Sequence, residues 1–386
     1  MKRIFLASLM LSVLLSACGS AVTPVPASGQ QALAASATVA PAATPTLLPA
    51  DTPEPTTSGA TPSAARTLTV MTHDSFAASE AVIQEFEQAN NVKVTFLKSG
   101  DAGAALNKAI LAKDAPLADV FYGVDNTFLS RALEADIFDS YASPLLSNID
   151  PALQLDLKNR ALPVDYGDVC INYSKAFFAK NGLQVPATLD DLTKPEYKDM
   201  MVVENPATSS SGLAFLLVTI AKYGDPGYLD YWKALKANGV VVVDGWETAY
   251  NTNFSGSAGS GPQPLVVSYA SSPAAEVIYA TTPLDDAPTA SILGSGTCFR
   301  QIEFVGILKG TKNRDLAEKF VDFMLDVKFQ EDMPLNMYVY PANTQARLPD
   351  SFVKYAQVAT DPAGAPANLD AMRDTWINAW TEAVLK

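Results

Sequence analysis

The chain has 386 residues, 48% of them hydrophobic and 18% charged, with a formal net charge of −14. That length and apolar content suit a soluble globular protein of about two ordinary domains, and the acid excess argues against nucleic acid, whose phosphates demand lysine and arginine. A single histidine, His73, and three cysteines leave a zinc site improbable, so no metal and no cofactor is implied.

Lys2 and Arg3 precede an apolar run from Ile4 to Leu15, too short for a bilayer-spanning helix of roughly 20 residues. Small residues then lead into Cys18, the pattern of a secretory signal peptide. Leu15-Ser16-Ala17-Cys18 resembles a bacterial lipoprotein signal, whose cysteine is lipidated and becomes the mature N-terminus. The resemblance implies a signal peptide over 1–17 and an extracytoplasmic protein held to the membrane by lipid on Cys18. Residues 18–66 are mostly Ala, Thr, Pro and Ser. They cannot bury enough apolar surface to offset their conformational entropy, which predicts a disordered, semi-stiff tether.

Strand and helix signals then alternate. Leu68–Thr72 reads as a buried strand stopping at His73-Asp74-Ser75. Ser79–Gln88 has helical spacing in Val82, Ile83 and Phe86. Asn91–Leu97 alternates as a strand, Ala102–Ala112 is helical, and Ala118–Tyr122 is a strand broken by Gly123 and Asp125-Asn126. This order predicts an α/β layered fold with a largely parallel sheet, whose ligands gather at the carboxyl ends of strands.

The second half repeats the style. Asp168–Tyr173 is strand-like. Met201–Val203 leads through Thr208–Gly212 to an apolar helix, Leu213–Tyr223. Val240–Val243 ends at Asp244-Gly245-Trp246. Asn251–Gln263 reads as a surface loop, and Leu265–Val267 ends at Ser268-Tyr269. Thr297–Leu308 is a longer strand. Thr311–Val327 is an amphipathic helix with Leu316, Phe320, Val321 and Met324 inside. Alternation in Met337–Pro341 predicts both tyrosines on one face of an extended segment. Arg373–Leu385 is a helix whose Trp376 and Trp380 are spaced as packing residues. Cys170 and Cys298 form an even pair in an oxidising compartment, consistent with a disulfide or with two buried thiols.

Four constellations carry chemistry. The hydroxyls and N–H groups of Thr208–Gly212 at a helix start suit an anion, and equally an N-cap and loop. Trp246, Tyr250 and Tyr269 lie just past strand ends, where they would face a cleft and hold a flat ring or cation, or fill the core. Asp74 and Asp125 at strand ends offer counter-charges for a cation. Tyr338 and Tyr340 offer an aromatic wall or core filling. No nucleophile stands beside a base, so binding is a better reading than catalysis.

The ordered set Leu68-Thr69-Val70 with Asp74-Ser75-Phe76, Ala118-Asp119-Val120 with Gly123-Val124-Asp125-Asn126, and Pro163–Gly167 resembles the thiamine-binding component of bacterial ABC importers. The set continues through Pro206-Ala207-Thr208-Ser209, Gly245–Tyr250, Val267–Ala274 and Tyr340-Pro341. That family lies within the type II periplasmic-binding-protein group. The resemblance implies an α/β, two-lobed fold with discontinuous lobes around a central cleft: 67–165 with 297–335 as lobe 1, and 166–296 with 336–386 as lobe 2. It implies a hinge near Asp165–Asp168 and Gly294–Thr297.

The implied ligand set is Asp74, Ser75, Asp125 and Asn126 from the first lobe and Ser209 and Ser210 at the hydroxyethyl or pyrophosphate end, with Tyr269 nearby. Trp246 lies at the ring, and Tyr250, Ser271 and Tyr338 complete the set. Tyr338 stands where relatives carry a tryptophan. Thiamine's thiazolium is a permanent cation, which wants aromatic faces and carboxylates.

The expectation is therefore a monomeric, lipid-anchored protein that captures thiamine or its phosphates for an ABC permease, without catalysis. Ferric iron or a polyamine is the alternative cargo, and a pyrimidine-processing enzyme with a cysteine nucleophile is a more distant one. Mass spectrometry of the native protein should find acyl chains on an N-terminal Cys18; an unmodified Cys18 thiol would contradict the anchor.

Overall fold

The computed structural model describes residues 65–256 and 261–386, and within them eleven strands join one mixed sheet flanked by helices. The expected signal peptide, Cys18 and nearly all of the tether lie outside the described residues. Arg66, expected to end the tether, instead opens the first strand and pairs with Asp315 at 2.7 Å. The strands are β1 (Arg66–Thr72), β2 (Val92–Lys98), β3 (Val120–Asp125), β4 (Phe138–Asp139), β5 (Leu162–Ser174), β6 (Met201–Glu204), β7 (Val241–Val243), β8 (Leu265–Tyr269), β9 (Thr289–Ile292), β10 (Phe299–Leu308) and β11 (Tyr340–Pro341). The helices are α1 (Glu80–Asn90), α2 (Ala102–Leu111), α3 (Leu129–Glu134), α4 (Lys175–Asn181), α5 (Ser210–Tyr223), α6 (Gly227–Ala237), α7 (Trp246–Thr248), α8 (Ser272–Ile278), α9 (Arg314–Leu325), α10 (Val327–Asn336), α11 (Asp350–Tyr355) and α12 (Leu369–Val384).

The sheet runs β2-β1-β3-β10-β5-β8-β6-β7. At one end β1 lies parallel to β2 and β3; at the other β6 lies parallel to β7 and β8. The inner strands β3, β6 and β8 are apolar, buried runs, while the edge strand β2 alternates buried and exposed residues. Between them stand β5 and β10, paired antiparallel from 162–169 against 299–305. β10 meets β3 at 303–307, and β5 meets β8 at 169–173. The chain thus leaves its first half, builds the second from β6 to β9, and returns through β10. Opposite Asp165–Asp168 stand Arg300–Glu303. Gly294–Thr297, the expected second crossing, forms the turn ahead of β10 instead.

The core follows the predicted periodicity. Leu316, Phe320, Val321 and Met324 of α9 are all buried, and each such side chain contributes roughly 1.5–3 kcal/mol by leaving water. Trp376 and Trp380 are core residues: Trp380 meets Trp232 of α6 edge-on at 5.3 Å, joining α12 to α6. Two segments depart from expectation. Tyr338 has a left-handed φ of 55°, which breaks the alternation of Met337–Pro341. Tyr340 stacks on Tyr166 at 5.4 Å while Tyr338 meets Tyr279 edge-on at 5.3 Å. The expected loop Asn251–Gln263 is partly anchored: Ala249–Asn253 form a wide helical turn and Phe254 is fully buried, bridged to Gln263.

Cys170 of β5 and Cys298, just ahead of β10, are joined as a disulfide, with Cα atoms 4.4 Å apart and a sequence separation of 128. Closing so long a loop restricts the unfolded chain. Replacing both cysteines with serine should lower the unfolding free energy by about 2–5 kcal/mol, seen as a lower urea midpoint. An unchanged midpoint would contradict the stabilising bridge.

Candidate functional site

A cavity of about 670 Å³ opens where strand ends from both halves meet. The first half contributes His73 and Ser75 after β1, Asp101 at the head of α2, and Glu303 of β10. The second contributes Ser210 and Ser211 at the head of α5, Trp246 and Tyr250 after β7, Tyr269 at the end of β8, and Glu276 and Tyr279 of α8 and its end. Met337 and Tyr338 close one side. The placement follows from the topology, since loops at the carboxyl ends of neighbouring strands surround a common space.

The aromatic wall is held rigidly. Trp246 stacks on Tyr250 with centroids 4.9 Å apart and planes 14° from parallel. Its indole Nε1 donates to Ser268 Oγ at 2.9 Å, which fixes the ring's rotation. Tyr250 donates to Glu276 Oε1 at 2.7 Å. Tyr269 donates to Gln301 Oε1 at 3.0 Å, and Gln301 Nε2 donates to Ser210 Oγ at 3.1 Å. Burial raises both phenols well above their usual pKa, so each stays a neutral donor.

Carboxylates outnumber the one histidine, His73, on the cavity wall. Asp101, Glu247, Glu276 and Glu303 line the cavity, and its described wall contains no lysine or arginine. Asp101 caps α2 through Ala102 N at 2.6 Å, and also accepts from Trp246 N at 2.9 Å and Ser210 N at 3.4 Å. One carboxylate therefore ties a first-half helix to the second half. Burial raises its pKa despite these donors. Glu303 Oε1 lies 3.3 Å from His73 Nε2, an ion-pair distance off hydrogen-bond alignment. Tyr122 donates to Asp165 Oδ2 at 2.6 Å and to Glu303 Oε2 at 3.1 Å. Burial, then the charge on Glu303, pushes Asp165 well above the usual carboxylate range. Burial opposes charge on Glu303 too, but His73 outweighs it and holds the pKa low.

Of the expected site residues, Ser75, Ser210, Trp246, Tyr250, Tyr269 and Tyr338 line this cavity. Asp74, Asp125, Asn126, Ser209 and Ser271 do not. Asp74 is exposed and accepts from Gly100 N at 2.8 Å. Asp125 is fully buried and caps the next turn through Thr127 N, Thr127 Oγ1 and Phe128 N. Asn126 pins β10 through Arg300 O and Ile302 N. Ser209 is the N-cap of α5, and Ser271 is buried ahead of α8. Polar residues at strand ends serve as caps as readily as ligands, so position alone does not separate the two roles.

Sequence reasoning missed His73, Asp101, Glu276 and Glu303. Glu303 did leave a signal: an acid inside the apolar run Ile302–Leu308 must be paired or it is very costly to bury. Asp101, directly before an apolar helix, left the signature of an N-cap, which says nothing of its second partner across the cleft.

The chain matches the family model for bacterial extracellular solute-binding proteins over residues 115–360. It is 32% identical over 331 residues to the thiamine-binding periplasmic protein of Salmonella typhimurium, covering 84% of this chain and 96% of that one. A solved periplasmic thiamin binding protein superposes with a TM-score of 0.72 at 28% identity, covering 83% of this chain and 96% of the other. A ferric binding protein from Campylobacter jejuni superposes with a TM-score of 0.66 at 18% identity, covering 82% and 99%; at that identity the likeness is one of fold. The architecture is the two-lobed type II fold around a central cleft that the sequence predicts.

Burial raises Asp125 from an ordinary 3.8 to about 6. A carboxyl raised on folding penalises the folded state once it ionises: the penalty is absent below the lower value, grows between the two, and is constant above. Asp125→Asn keeps an acceptor for Thr127 and Phe128 and removes the charge. It should stabilise the protein by up to about 3 kcal/mol at pH 8 and far less at pH 4.5, by urea unfolding. An equal effect at both pH values would contradict the assignment.

Proposed function

This chain belongs to the bacterial extracellular solute-binding proteins, within the thiamine-binding periplasmic family, and we propose that it captures thiamine or a phosphorylated form for an ABC importer. The reading rests chiefly on one observation: an indole held in place on a tyrosine, Trp246 on Tyr250, faces the same cavity as Asp101 and Glu303 from the other half.

Thiamine suits such a cavity on elementary grounds. The thiazolium cannot shed its charge by losing a proton, so its burial needs fixed counter-charges. A tryptophan face adds cation–π attraction of roughly 0.5–2 kcal/mol, and the flat aminopyrimidine stacks on aromatic rings. The acidic wall supplies the counter-charge without a competing lysine or arginine. In phosphorylated forms the anionic end would meet the hydroxyls and N–H groups at the head of α5, displacing the Asp101 carboxylate that holds that place now.

The two halves would close on the ligand by bending at Asp165–Asp168 of β5 and Arg300–Glu303 of β10. The bond from Trp246 N to Asp101 then acts as a closing contact. No bond of the ligand is made or broken, and Cys170 and Cys298 are tied in the disulfide, which leaves no free thiol among the described residues for a pyrimidine-processing reaction. The lipid on Cys18 and the tether would hold a monomer near its permease. Among the described residues no group of three or more His, Cys, Asp or Glu is arranged to hold a metal; ferric iron held by tyrosines is the alternative cargo, and a coloured holo-protein would favour it.

Isothermal titration calorimetry should detect tight binding of thiamine, its monophosphate or its pyrophosphate. Trp246→Ala should weaken that binding by about 10- to 100-fold, and Trp246→Phe by less. No heat with any of the three at micromolar protein, or heat with a linear polyamine in their place, would overturn the reading.

A further inference from the structure

The floor of the cavity holds a buried ionisable pair, of which the thiamine reading uses Glu303 but not yet His73. His73 and Glu303 both face the cavity, and their side chains retain only 9% and 7% exposure. Their pairing is built into the fold. Gly123, at φ +104°, lies against the imidazole, where any side chain would overlap it. Tyr122, on the same strand, stands 5.6 Å from His73 ring to ring and donates to Glu303. Glu303 is fixed from behind by the β5 partner opposite it, Asp165.

We propose that Glu303 is the carboxylate that receives the ligand's positive charge, and that His73 is its resident counter-charge, surrendered as a proton when the ligand seats. The proposal rests on the functional reading above and names the anchoring residue within it. The physical ground is that one buried carboxylate cannot hold two buried cations at little cost. A permanent cation has no proton to give, so the imidazolium must. Its N–H bond breaks, the proton passes through the open cleft to solvent, and the ligand's fixed charge takes its place beside Glu303. No electrons change hands.

The surroundings support a charged imidazole in the empty protein. Facing His73 are Glu303 of β10, Tyr122 of β3, Asp101 at the head of α2 and the neighbouring Asp74. Burial works against the imidazolium, but Glu303 first, then Asp101 and Asp74, outweigh it and raise the pKa above 6.5. Around Glu303 stand Asp165 of β5, Asp125 at the end of β3 and Tyr269 of β8. Burial and the charge on Glu303 raise the pKa of Asp165, which lies off the cavity wall, so the titrating partner of Glu303 on that wall is His73. The sign follows: the free protein binds one more proton than the complex, so affinity rises with pH until free His73 titrates, then levels.

Calorimetry of thiamine binding at pH 6.5, in two buffers of different ionisation enthalpy, reads the proton count without any variant. The wild-type protein should release more than about half a proton per thiamine, and affinity should rise by up to about tenfold per pH unit below the His73 titration. His73→Gln should bind thiamine without proton release and with equal affinity at pH 6 and pH 8. Glu303→Gln should bind more than about tenfold more weakly, as expected for losing a buried counter-charge. Binding of thiamine with no proton released, or with release undiminished in His73→Gln, overturns this proposal and leaves the functional reading intact. Absence of thiamine binding by the wild-type protein overturns both.

Discussion

β5 and β10 are the two strands that both halves share, and their antiparallel pairing fixes where the polar groups of the cleft floor stand. It sets Asp165 opposite Glu303, Asp168 opposite Arg300 and Cys170 beside Cys298. Arg300 pairs with Asp168, which also accepts from Ala359 N at 2.7 Å. Asn126 grips the same stretch of β10 from the other side. The register shift between Glu303 and Phe304 falls where β10 passes from one half to the other. This strand pair holds the acids of the cleft floor in place.

On that frame the cavity is assembled from contrasting parts. The second half supplies rigid aromatic area, with Trp246 held by stacking on one face and by Ser268 at its ring nitrogen. The first half supplies charge, with Asp101 and Glu303. Neither half alone would hold a buried cation well: a ring face without a carboxylate leaves the charge undercompensated, and an open carboxylate meets its ligand through water. Asp101 joins the two parts directly, since its oxygens meet Ala102, Ser210 and Trp246. The overall charge of −14 also favours the approach of a cation at low salt.

Much of this was legible in the residues. The apolar spacing of Leu316, Phe320, Val321 and Met324 and the strand runs of the sheet read correctly, because burial imposes local periodicity, and Trp246, Tyr250 and Tyr269 past their strand ends line the cavity. The acids were harder. Asp74 and Asp125 sit at strand ends as ligands would, yet Asp74 accepts from Gly100 in the loop after β2 and Asp125 caps the turn that follows it. Asp101 and Glu303 take part through contacts made 145 and 138 positions away, to Trp246 and Asp165, which no local pattern encodes. The extended reading of Met337–Pro341 failed at one backbone angle, the left-handed φ of Tyr338, which alternation of residue types cannot reveal.

The central claim is spatial: a flat cation lies against the indole of Trp246, within reach of acids from the opposite half. A crystal structure of the protein saturated with thiamine tests it most directly. The account predicts ring density parallel to Trp246, with the thiazolium nitrogen within about 6 Å of an aromatic centroid and Glu303 or Asp101 beside it. Thiamine bound elsewhere, with the Trp246 face bare, would contradict it.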